Sequence, residues 1–310
     1  MSNLYTSTHI NHIFSSYFAP RGRSRIYDIG MQFSQIYLSP EDKLVGVIGE
    51  PGCGKSALIR GMFPGLELTN DDDGVNVRPL PLLEQDQEQG FFTPHTYHVD
   101  IRFEMGFTQL TTLVDAIRLA LRRGKRVIVE HFELIYPFLK QNADLLIGIG
   151  EEILVTRPRI FGPLPQDVAA IVRKSLPYRL MAHTAEDLCE FCMPKKEVLR
   201  CQHGDVRHGF TMEFLEHPPE IDLVELEEKV NAMIRENLPI TYLDETHISI
   251  NGAPHMCTGP RTHVRSTGEI VGFRLLHHFV YEDHLNRYLM VGCVGEDSAD
   301  NIDQLGKLAP

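Results

Sequence analysis

Residues 43–63 read KLVGVIGEPGCGKSALIRGMF, and the fold of the first half turns on this stretch. KLVGVIG is a short apolar run with β-branched residues, which reads as a buried strand. The next eight residues, Gly49-Glu50-Pro51-Gly52-Cys53-Gly54-Lys55-Ser56, complete G-x-x-x-x-G-K-S, and ALIRGMF continues as a helix. Glycines let backbone N–H groups turn inward around a phosphate, the helix N-terminus adds partial positive charge, and Lys55 reaches the terminal phosphates. The expected ligand is a nucleoside triphosphate, ATP or GTP, with Mg²⁺ on Ser56. Cys53 has no evident catalytic partner and reads as an incidental loop residue.

Working outward, further strand-like runs occur at 65–69, 96–103, 126–132 and 145–150. Between the second and third of these, Leu113, Ile117, Leu119 and Leu121 space like an amphipathic helix that stops at Gly124. Strand, helix, strand in this rhythm predicts an α/β domain with a mainly parallel sheet covered on both faces. Its boundary is placed in RPRIFGPLPQD (157–167), whose prolines and glycine are turn chemistry, giving domains over 1–170 and 171–310. The second part holds 10 of the 15 His and 5 of the 6 Cys. Six Cys in 310 residues are too few for a secreted disulfide framework, so thiols or metal ligands are expected. No apolar run suits a membrane span and the start lacks a signal-peptide pattern, so a cytoplasmic protein without a membrane partner is expected. A net charge of −12 argues against a broad phosphate-binding face.

The segment VIVEHFELIYPFL through ADLLIGIG places Glu130 at a strand end and resembles the uridine kinase family, whose corresponding strand reads VIVEG. The resemblance implies catalytic or metal-supporting roles for Glu130 and for an acidic pair at Asp71 and Asp72, within Asp71-Asp72-Asp73. A solvated turn ending at Gly74 is the competing reading of that run. His131 stands in place of the family glycine, and no Arg-rich lid follows the last strand, only Arg157 and Arg159.

In the second part, RLMAHTAEDLCEF (179–191), HPPEIDLVELEEKVNAMIRENLPI (217–240) and MCTGPRTHVRSTGEIVGFRLL (256–276) resemble the second additional domain of alanyl- and threonyl-tRNA synthetases. This α+β editing module also occurs in free-standing deacylases. Helical spacing puts His183 and Asp187 on one face, and Cys257 and His263 lie on a Gly/Pro-containing loop, so four donors are expected to meet around Zn²⁺. Such a zinc would activate water against the ester of an aminoacyl-tRNA or a smaller aminoacyl compound. Asp187 replaces a family histidine, and Pro260-Arg261 lengthens the Cys-to-His spacing; the insertion is expected to bulge outward, with Arg261 near the pocket mouth. Cys189 and Cys192 are expected to be buried, while Cys201 and His203 read as a further metal-site alternative. His277 and His278 are expected on a strand, and Ile221, Val224, Val230, Met233 and Ile234 on the core face of a helix over 221–237. Two other functions stay open: a small-molecule kinase with an amino-acid-recognising regulatory domain, and a non-catalytic sensor.

Overall fold

The computed structural model describes residues 14–66, 68 and 95–296. Asp71 and Asp72 fall outside these residues, as do 67 and 69 of the expected strand at 65–69, whose described residues Gly65, Leu66 and Leu68 are not in a strand. A six-stranded sheet is built from β1 (Ser15–Phe18), β2 (Leu44–Gly49), β3 (Thr96–Asp100), β4 (Arg126–Glu130), β5 (Leu145–Ile149) and β6 (Glu152–Thr156). Its order is β1-β6-β5-β2-β4-β3. Strands β5, β2, β4 and β3 run parallel, and β6 and β1 extend the sheet antiparallel. The strand that feeds the glycine loop is therefore central, with β4 and β5 as its neighbours.

Both faces of this sheet are covered, and the side-chain alternation of β2 shows it. Leu44 and Ile48 enter one core, shared with α4 (Leu110–Arg122) and α5 (Phe132–Leu139). Val45 and Val47 enter the other, shared with α1 (Arg23–Ile36) and α2 (Lys55–Met62). In α4, Leu113 and Ile117 are fully buried as their spacing predicts, and the chain reverses at Gly124 with φ of 76°. A short turn, α3 (Ile101–Glu104), follows β3 directly.

The proline-rich stretch at 157–164 forms a turn, after which α6 (Pro165–Cys192) runs unbroken for 28 residues. At 1.5 Å per residue this rod is about 42 Å long. Val168, Ala169 and Val172 on its first turns pack into the first sheet's core, while Met181, Ala185, Leu188 and Cys189 pack into the second core. The two halves thus share one helix, and the composition shift near residue 170 marks no break in the backbone.

After α7 (Lys195–Val198), the second half contains two antiparallel sheets. One joins β12 (Arg274–Leu275), β14 (Arg287–Cys293), β8 (Gly209–Leu215) and β7 (Cys201–Val206) in that order, with β13 (Val280–Glu282) also on β14. The other joins β11 (Ala253–Met256), β10 (His247–Ile250) and β9 (Ile240–Asp244). Helix α8 (Leu223–Glu236) starts at Asp222, whose carboxylate accepts from the amides of Val224 and Glu225. That cap fixes the phase: Leu223, Leu226 and Val230 are buried, Ile221, Met233 and Ile234 pack at the margin, and Val224 is exposed. The expected core face is corrected accordingly. His277 and His278 also differ from expectation, since both lie exposed in a bend rather than on a strand. Among the described residues, no helix is long and apolar enough to cross a membrane.

Candidate functional site

The glycine loop sits where parallel strands end, between β2 and α2. Gly52 and Gly54 adopt φ of 81° and 104°, conformations that L side chains rarely take. Cys53 points inward beneath Gly49 and away from the loop's mouth; burial pushes its thiol up. The Lys55 ammonium donates to the Glu50 carbonyl at 3.2 Å and lies 3.7 Å from Glu130 Oε2. Ser56 Oγ donates to Glu130 Oε1 at 3.3 Å, and His98 Nε2 meets the same oxygen at 3.1 Å. Burial raises the cost of ionising Glu130, but the His98 hydrogen bond and the Lys55 ammonium prevail and hold its carboxyl below the usual range.

Beside Glu130, β3 ends at Asp100. Asp100, Glu130 and His131 are all buried and bring donor atoms within 4.8 Å of one another. Asp100 also accepts from the Phe103 amide at 3.1 Å, which starts the α3 turn. One turn on, Glu104 is buried, and burial together with the Asp100 charge pushes it up to about 7. His131 takes a left-handed φ of 56°, a conformation that favours glycine. The Glu130 carboxylate and the Ser56 hydroxyl beside it are hard oxygen donors of the kind Mg²⁺ prefers, so this pair fits that ion.

The second half closes the site. A cavity of about 350 Å³ is lined by the glycine loop, Asp100 and Glu130 below and by residues 258–262 above. Contact is close: a Cβ on Gly52 would lie 3.1 Å from the Arg261 carbonyl, and one on Gly22 would lie 3.1 Å from that of Thr258. From α6, the buried Arg179 guanidinium donates to the carbonyls of Cys53, Gly150 and Pro20 at 3.0, 3.3 and 3.2 Å. The Pro260-Arg261 insertion therefore lies against the glycine loop instead of bulging outward. Arg261 stacks on Tyr242, 5.2 Å from the ring centroid, and pairs with Glu245 at 3.4 Å. Arg23, Lys55, Arg60, Arg102, Arg179 and Arg261 line the cavity against three acids, Asp100, Glu130 and Glu245. Local charge is positive inside a chain of net charge −12.

Of the four residues expected around zinc, three meet. His263 Nε2 lies 2.7 Å from Asp187 Oδ2 and 3.7 Å from Cys257 Sγ. His183 is directed elsewhere, with Nδ1 3.2 Å from Thr262 Oγ1 and Nε2 3.9 Å from Asp205. Burial pushes both imidazoles down, His183 to about 4 and His263 to about 3. The unexpected member is Arg21. Its guanidinium enters from the first half, reaches Cys257 Sγ at 3.2 Å and Glu186 Oε2 at 2.5 Å, and contacts Asp187. A permanent cation thus already lies among the would-be ligands, and a divalent ion beside it would meet direct repulsion in a buried pocket. The four-residue zinc set does not fit this geometry.

Neither a scan against protein-family models nor a search of curated proteins finds a match to the chain.

Proposed function

We propose that the chain binds a nucleoside triphosphate with Mg²⁺ and transfers its terminal phosphoryl group to a small acceptor, a kinase-like activity, with the second half as the roof of the site. One observation carries this reading: a single cavity holds a glycine loop with Lys55 and Ser56, two adjacent buried acids, and an excess of basic side chains. Loop amides and Lys55 suit the phosphates, and Arg23, Arg102 and Arg261 at the rim provide positive charge that a lid after the last strand would otherwise bring. Glu130 and Ser56 would hold Mg²⁺, which when bound neutralises charge on the phosphate oxygens. Asp100, at the neighbouring strand end, is placed to orient or deprotonate an acceptor hydroxyl.

Zinc-dependent hydrolysis of aminoacyl esters receives no comparable support, because His183 is directed away from Asp187, Cys257 and His263 and the Arg21 guanidinium already contacts two of these three. The test is calorimetric titration of ATP and GTP with and without Mg²⁺, followed by phosphoryl transfer to nucleosides and other small alcohols. Asp100→Asn should keep nucleotide affinity within about threefold while transfer falls on the order of a hundredfold, the size of a lost general base. Absence of Mg²⁺-dependent nucleotide binding by the wild type would refute the reading.

A further inference from the structure

We propose that the second half carries a Zn²⁺ site on the outer side of Arg21, formed by Glu190, Cys201 and His203. The donors come from two elements. Glu190 lies one turn beyond Glu186 on α6, and Cys201 and His203, two apart on β7, point to one face of that strand. Their donor atoms lie within 4.8 Å of one another, and His203 Nε2 is 3.1 Å from Glu190 Oε1. Tetrahedral zinc with bonds of 2.0 to 2.3 Å holds its ligands about 3.4 Å apart, so only small side-chain adjustments separate this arrangement from coordination.

Hydrogen bonding around His203 favours a cation there. Its Nδ1 lies 2.7 Å from Glu186 Oε1, and an ionised carboxylate only accepts, so the proton belongs on Nδ1. The Nε2 lone pair of the neutral ring then faces Glu190 Oε1, a second acceptor. Two acceptors at 3.1 Å require a positive species between them, a proton or a metal. Glu186 in turn is held by Arg21 at 2.5 Å, which makes a carboxylate that orients a metal-binding imidazole, as is common around zinc. Glu190 has only imidazoles as ion-pair partners among the described residues, His203 and, at 3.4 Å, His255. Thiol, imidazole and carboxylate together suit Zn²⁺ better than Mg²⁺ or Ca²⁺. His203 is partly exposed, which leaves a coordination position for water. Arg21 thus has two effects: it obstructs the inner Asp187, Cys257, His263 cluster and anchors the outer one.

The test uses the full chain, stripped with a chelator and dialysed against ZnCl₂, with metal content measured per chain. Cobalt loading adds an independent readout, because a thiolate-to-cobalt absorption band appears only if sulfur is a ligand. About one zinc per chain is expected, lost together with the cobalt band in Cys201→Ser and in His203→Gln, and kept in Cys257→Ser. Circular dichroism of each variant separates ligand loss from unfolding. Glu186→Gln should weaken zinc by about 10- to 100-fold without abolishing it. A wild type that takes up no stoichiometric zinc, a folded Cys201→Ser that retains it, or a folded Cys257→Ser that loses it would each overturn the proposal.

Discussion

At the scale of single residues, charge placement dominates. Lys55, the loop's own lysine, is buried against Glu130 and the Glu50 carbonyl. Lys55→Ala should lower ATP or GTP affinity at least tenfold, about 1.4 kcal/mol, by calorimetric titration. Arg21 has a different task. It meets Glu186, Asp187 and Cys257 with its own side chain 3% exposed. Arg21→Met keeps much of the volume but leaves two buried carboxylates without their cation. A loss of about 3 to 5 kcal/mol in urea denaturation is expected; an unchanged midpoint would mean that the acids find protons or other partners. Neither Arg21 nor Asp100 announces itself in the sequence. Arg21 pairs with residues 165 positions away, a separation that no local pattern encodes. Asp100 ends TYHVD, a run whose last polar residue reads as a strand boundary until the sheet order places it beside Glu130.

At the scale of elements, α1 and α2 approach so closely that glycine is required on both. A Cβ on Gly61 would lie 2.1 Å from the Tyr27 carbonyl, and one on Gly30 would lie 2.3 Å from that of Leu58. These obstacles are backbone atoms, so no rotamer change relieves them. Gly61→Ala should cost about 1 to 3 kcal/mol despite alanine's better helix propensity. Because α2 begins at Lys55, the displaced helix should also weaken nucleotide binding; denaturation and titration of the same variant check both effects. Legibility follows the same physics. The strands at 44–49, 126–130 and 145–149 were readable because a strand buried on both faces is an uninterrupted apolar run, and the glycine loop because its spacing is fixed by phosphate geometry. Strands β1 and β6, the antiparallel additions beyond β5, were not, since each is short and lacks so long a run. The two-residue insertion at Pro260-Arg261 was visible, but its direction was not, because the surface it meets belongs to Gly52, more than two hundred positions earlier.

At the scale of the whole molecule, the seam between the halves contains its own titratable group. Glu151, between β5 and β6, accepts from the His208 amide at 2.5 Å, and burial, aided by the Glu152 charge, pushes its carboxyl up from 4.5 to about 8. A raised carboxyl holds its proton in the folded chain while the unfolded chain has lost it, so stability falls as pH rises between 4.5 and about 8. Glu151→Gln removes this penalty. Its stability relative to wild type should therefore grow by up to about 1.4 kcal/mol per pH unit across that window and stay constant below it. Urea denaturation of the two proteins at several pH values isolates this group from all others; a difference independent of pH would place the Glu151 proton elsewhere. The rod of α6 has a further consequence. Proteins with two cores commonly melt in steps, each core failing at its own temperature. Here neither core can lose its share of α6 without fraying a helix the other still needs, and a nucleotide bound as proposed would touch both. Calorimetry should record one melting event for the entire chain, moving upward as a single peak when ligand is added.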